Sequence, residues 1–241
     1  MTLCRFFGAA LLWPLIYSVA VLQVPPAEAS CALGKAGGFF PKNNLQYPVR
    51  LTEGVGLSES DFNQVISRVS KIYSPIVKQK GGILEIQRKW EDSTVNAYAE
   101  RDGKKYIVAM FGGLARHPLI SVDGFSLVLC HEVGHHLGGA PKYAEQLPEG
   151  AFMSNEGQAD YFGNLKCLRR FAEKDDNEKI VAALKVPPPV ERLCSKSFSN
   201  RNDYLICQRN AMAGFNLSKV LADVSAKTGD VVKEPTFATP D

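Results

Sequence analysis

Asp123-Gly124-Phe125-Ser126-Leu127-Val128-Leu129-Cys130-His131-Glu132-Val133-Gly134-His135-His136-Leu137-Gly138-Gly139 is the stretch that decides the fold. An apolar run at Phe125, Leu127, Val128 and Leu129 leads into the histidines. Asp123 is placed to cap a helix start, and Gly138-Gly139 to stop it. On a helix, positions i and i+4 lie one above the other on one face. His131 and His135 can then reach a single metal ion while Glu132 stands beside it, towards a bound water. Of the four histidines in the chain, three fall between positions 131 and 136, a concentration that packing does not explain. A pentapeptide of this kind still needs a third ligand from elsewhere.

Asn155-Glu156-Gly157-Gln158-Ala159-Asp160 supplies one, with two carboxylates again spaced i, i+4. Ser154 can cap a helix that carries both and continues past Cys167 to about Phe171. Glu156 then completes a His2Glu set, which leaves the fourth position of one Zn2+ per chain open for water. Asp160 accepts a hydrogen bond from the far nitrogen of a ligand histidine. The bland alternative is a solvated face. Against it, Gly157, Ala159 and Gly163 are small, which suits close approach to a neighbouring helix.

The chain has 241 residues, 45% hydrophobic and 22% charged, which fits one globular domain with a full core. A net charge of +3, without Lys/Arg clusters interleaved with aromatics, argues against nucleic acid as a partner. Arg5, the apolar run Phe6 to Leu22, Pro25-Pro26 and Ala27-Glu28-Ala29 have the layout of a secretory signal peptide over residues 1–29. The protein is therefore expected to be exported, periplasmic or secreted. Contact with the membrane follows only if that segment stays uncleaved as an anchor. Lipid processing at Cys31 is disfavoured by Glu28, where an aliphatic residue is wanted. Cys31, Cys130, Cys167, Cys194 and Cys207 remain after cleavage. In an oxidising compartment they predict disulfides with one thiol left over, in a pairing that sequence does not choose.

Residues 30–56 read as an irregular lead-in to a domain over 57–225. Phe62, Val65, Ile66, Val69, Ile72, Tyr73 and Ile76 recur at helical spacing after Ser58, with Pro75 expected to kink or end that helix. Strands follow at 83–90, 94–100 and 106–111, the last two flanking a hairpin dipeptide, Asp102-Gly103. Residues 140–152 form a loop. Helices are expected over 175–184 and 204–225, with Pro187-Pro188-Pro189 read as a terminator. From Ala226 to Asp241 the polar, Pro-containing sequence predicts a flexible tail. The fold class is α+β: a small antiparallel sheet packed on a helical bundle that carries the active-site helix.

With these motifs in hand, the chain resembles the gluzincin zinc metallopeptidases, and within them the group of CAAX prenyl proteases, HtpX peptidases and Oma-type peptidases. The likeness also includes Asn96-Ala97-Tyr98-Ala99 and Gly113-Leu114, and covers about residues 83–192. It implies a zincin-like fold and hydrolysis of a polypeptide substrate. It implies His131, His135 and Glu156 as metal ligands, Glu132 as general base, and Asp160 as the group that orients His131. The strand at Asn96 and Ala97 would pair with the substrate backbone. One departure is Val186-Pro187-Pro188 ahead of Arg192, since the family often has histidine where Val186 stands. The oxyanion donor is therefore open among Tyr161, His136 and Arg192. Two further alternatives stay open: a zinc-binding protein with weak or no turnover, and an exported binding or chaperone-like module. A loop covering the cleft at 140–152 is a related expectation.

Overall fold

A computed structural model describes residues 38–51, 54–143, 152–229 and 236–237. The expected signal peptide, Cys31, loop residues 144–151 and most of the expected tail lie outside the described residues.

Helix α1 (Glu59–Gln79) opens at Ser58, whose side chain accepts from the Asp61 amide while Asp61 reaches back to the Ser58 amide. This reciprocal cap satisfies two of the first-turn donors that a helix otherwise leaves unpaired. Pro75 neither ends nor interrupts the helix, contrary to expectation. It lies on the exposed face, where water can take the carbonyl that loses its helical partner. The opposite face buries Phe62, Val65, Ile66, Val69, Tyr73 and Val77.

Strands β1 (Ile83–Lys89), β2 (Ala97–Asp102) and β3 (Lys105–Phe111) form one sheet in the order β1-β3-β2. The sheet is mixed rather than antiparallel. β2 and β3 form the expected hairpin, but β1 runs parallel to β3, with Ile83 opposite Lys105. The cause is the connection over 90–96, which crosses the end of the sheet and delivers β2 to the far edge. The hairpin closes one residue later than its dipeptide suggested: Asp102 pairs with Lys105, and Gly103 takes φ +51° in the turn.

After the single turn α2 (Gly112–Ala115), helix α3 (Val122–Leu137) runs through the middle of the molecule. Every residue from Gly124 to His136 is buried, so the helix is wrapped on all sides rather than amphipathic. Its cap is Ser121, which accepts from the Gly124 amide. Asp123, expected there, instead pairs with the buried Arg209 through both carboxylate oxygens. Arg209 also bonds Asp175 and Asn177. Val128 and Leu129 of α3 meet Val65 and Ile66 of α1 and Val108 and Met110 of β3 in one core. Each such side chain, fully buried, contributes roughly 1.5–3 kcal/mol.

Helix α4 (Glu156–Phe162) passes directly into a π-helical stretch, Gly163–Leu168, and then α5 (Arg169–Ala172). Its cap is Asn155, one residue beyond the expected Ser154. Three helices complete the fold: α6 (Asn177–Ala182), α7 (Pro188–Ser197) and α8 (Arg201–Thr228). The triple proline starts α7 instead of only stopping what precedes it. Proline at the first helical positions has no amide to lose there and a favourable φ. α8 runs through Thr228, so the first residues assigned to the tail are helical. Two disulfides, Cys130–Cys167 and Cys194–Cys207, tie α3 to the π-helical stretch and α7 to α8. Two such bonds fit an oxidising environment. Among the described residues, no helix is long and apolar enough to cross a membrane.

Candidate metal centre

His131 and His135 project from one face of α3, and α4 crosses that face with Glu156 in its first turn. The crossing is close because small residues meet there. A β-carbon on Gly163 would lie 3.1 Å from the His131 amide nitrogen, and one on Gly134 would lie 2.8 Å from the Ala159 carbonyl oxygen. Gly157, expected to share this role, faces open space. The Cys130–Cys167 disulfide fastens the same contact one residue before His131.

The result is a three-sided cluster. His131 Nε2 and His135 Nε2 are 3.0 Å apart. Glu156 Oε2 lies 3.2 Å from the first and 3.8 Å from the second. These residues can together hold one metal ion. Both imidazoles are fixed from behind: His131 Nδ1 is 2.7 Å from Asp160 Oδ1, and His135 Nδ1 is 2.8 Å from the Ser154 carbonyl. A carbonyl accepts only, so His135 carries its proton on Nδ1 and turns an Nε2 lone pair toward the cluster. Asp160 serves His131 in the same way when its carboxylate is ionised.

Electrostatics favour a cation here. Burial pulls the His131 imidazole down, but hydrogen bonds to Asp160 and Glu156 and the charge of Glu132 overcome it and raise the pKa to about 9. Burial and the charge on His131 hold His135 down to about 4. Burial works against ionisation of Glu156, yet hydrogen bonds from His131 and Tyr143 bring it to about 2. The carboxylates around the two imidazoles thus favour a positive charge at the cluster, which a metal ion can supply.

Glu132 is fully buried, and neither carboxylate oxygen has a hydrogen-bond partner among the described residues. Leaving a buried acceptor unpaired costs roughly 1–3 kcal/mol, more for a charged group. Burial raises its pKa to about 7, with His131 opposing and Glu156 adding to the rise. An unpaired carboxylate beside two imidazoles and a second carboxylate fits a centre that can receive a metal ion. The donor set, two nitrogens and a carboxylate oxygen, suits zinc.

The other expected site residues fall elsewhere. His136 is buried away from the cluster: its Nε2 donates to the Ile107 carbonyl, and its Nδ1 lies 3.4 Å from Arg101. It stacks with Tyr106 and Phe152. Its nitrogens thus tie α3 to β3 through Ile107 and to β2 through Arg101. Tyr161 is half-exposed on α4, and Arg192 is exposed on α7, which packs on α8. Asn96 and Ala97 stand at the start of β2, but the lead-in already uses them. The Phe39 amide donates to the Ala97 carbonyl, the Phe40 amide to Asn96 Oδ1, and the Phe39 ring rests edge-on against His131.

One residue was missed. The Tyr143 hydroxyl donates to Glu156 Oε1 at 2.5 Å. Its only sequence signal was a lone tyrosine at the start of the 140–152 loop. A short ladder places it: Lys142 bridges Ser154, the Tyr143 amide donates to the Met153 carbonyl, and the Asn155 amide donates to the Pro141 carbonyl. No protein-family model matches the chain, and no curated protein or solved structure matches it either.

Proposed function

We propose that the protein is a zinc-dependent metalloendopeptidase of the gluzincin type, hydrolysing peptide bonds in exported or misfolded proteins. One observation carries the reading: His131, His135 and Glu156 converge on one point, and the buried carboxylate of Glu132, next to His131 in the chain, has no hydrogen-bond partner among the described residues. Zinc bound there supplies Lewis acidity, lowering the pKa of water toward about 7 and polarising a carbonyl. Glu132, with its pKa raised to about 7, suits a base that takes a proton from water and returns it to the leaving amine nitrogen. Asp160 and the Ser154 carbonyl hold the two imidazoles in orientation throughout. The substrate backbone lies along β2. Because Phe39 already takes the Ala97 carbonyl, it engages the strand on the Arg101 side.

Elemental analysis of purified protein should find one zinc per chain. Glu132→Gln should keep that zinc and lose cleavage of casein by on the order of 10²–10⁴-fold, the share expected of a general base. His135→Ala should lose both metal and activity. Cleavage by Glu132→Gln at the parent rate would refute the mechanism.

A further inference from the structure

A carboxylate can bind a metal ion through one oxygen or through both. The difference matters at a His2Glu centre. One oxygen and two imidazoles leave a four-coordinate ion one open position, whereas two oxygens fill it. Glu156 presents its oxygens unequally: Oε2 faces both imidazole Nε2 atoms, at 3.2 Å and 3.8 Å, while Oε1 accepts the Tyr143 hydroxyl. A neutral phenol does this without adding a charge that would compete with the ion.

Tyr143 is itself held firmly enough to impose that choice. Its amide donates to the Met153 carbonyl at 3.0 Å, within the ladder that joins 141–143 to 153–155. The Ser154 carbonyl in the same ladder accepts a hydrogen bond from His135 Nδ1, and the Ser154 amide donates to the His135 carbonyl. One short bridge therefore orients two of the three residues, Glu156 through Tyr143 and His135 through Ser154.

We infer that Tyr143 is a positioning residue that keeps Glu156 a one-oxygen ligand and so keeps the fourth position of the metal open. The inference rests on the proposed metal centre. Titrations of the full chain with zinc against a competing chelator, and with cobalt(II) as a visible-absorbing substitute, test it. Tyr143→Phe removes one oxygen atom and leaves the ring in place, so the fold is retained; Tyr204→Phe, on α8, is the control. The expected result is zinc affinity 10–100-fold weaker in Tyr143→Phe, the range typical of groups that orient a ligand. The cobalt absorption should also lose intensity, as the freed Oε1 joins Oε2 and the coordination number rises. Tyr204→Phe should match the parent in both. If Tyr143→Phe keeps the parent affinity and spectrum, the inference fails and the metal centre stands. Weaker binding with an unchanged cobalt spectrum also overturns it, because that is the signature of general loosening. A parent protein that binds neither metal overturns the centre and the inference together.

Discussion

Gly134 lies between the two histidine ligands, and an alanine there should separate metal binding from folding. Its added β-carbon would stand 2.8 Å from the Ala159 carbonyl oxygen and 3.0 Å from the Ala159 α-carbon. The first is about 0.6 Å and the second about 0.4 Å inside ordinary van der Waals contact. Both atoms are backbone of α4, so no side chain can rotate away and the helix itself must shift by several tenths of an ångström. Ala159 follows Glu156 by about one turn on the same helix, so the shift is carried to the carboxylate. Ligand distances at a metal centre tolerate only ~0.2 Å. We expect zinc affinity to fall at least about tenfold, by analogy with the loss of a supporting contact. Overpacking costs roughly 1–3 kcal/mol, and replacing a mid-helix glycine by alanine returns up to about 1 kcal/mol. The net loss of stability in the metal-free protein should then be modest. Chelator competition reads the first quantity and urea unfolding of metal-free protein the second. Adding Ala159→Gly should not rescue binding, because the clash is with backbone rather than with the Ala159 methyl. A Gly134→Ala protein that binds zinc like the parent and is simply more stable would refute the close crossing.

The two disulfides should differ in consequence. Replacing Cys130 and Cys167 together by alanine opens a loop of 37 residues and should cost about 4 kcal/mol in unfolding free energy, with weaker zinc binding because the bond adjoins His131. The Cys194/Cys207 pair closes 13 residues and should cost about 3 kcal/mol with zinc affinity unchanged. Equal effects on zinc from both would contradict this assignment. Arg209→Ala leaves the part-buried carboxylates of Asp123 and Asp175 without their shared partner and should destabilise by about 3 kcal/mol in urea. Arg201→Ala, at a fully exposed pair with Glu178, should produce no measurable change. His117 is fully buried beside Asp223, Lys227 and the Tyr47 ring. Burial lowers its pKa, Asp223 only partly opposing. The unfolded chain therefore binds a proton below about pH 6.5 that the folded chain refuses, and stability falls as pH drops through that value. His117→Gln should flatten the fall measured in metal-free protein between about pH 7 and pH 5; an unaltered slope would refute the attribution.

What could be read from sequence was whatever chemistry ties to residue type and spacing. Two histidines four apart and two carboxylates four apart define helix faces without knowledge of the rest, and Glu156 and Asp160 arrive at His131 as those faces require. The helix that follows Ser58 was legible for the same reason. The failures lie where partners distant in sequence decide. Asp123 is a good cap by type, but Arg209, 86 residues later, claims its carboxylate and leaves capping to Ser121. β1 joins the sheet parallel because the 90–96 connection passes the end of β3, which no local pattern in β1 records.

Tyr143 and Gly134 show a second kind of illegibility. The ladder over 141–143 and 153–155 has no hydrophobic alternation to announce it, yet it fixes which oxygen of Glu156 faces the imidazoles. Gly134 is hidden inside the motif itself, because the histidines on either side explain the pentapeptide without it. Its requirement comes from α4: only a residue without a β-carbon lets the Ala159 backbone come near enough for Glu156 to reach both rings. The position between the two histidines is thus set by the helix that carries Glu156, so the proposed metal site and the helix packing depend on the same crossing. A substitution that fills Gly134 must therefore be felt first at the metal, and only second in the stability of the fold.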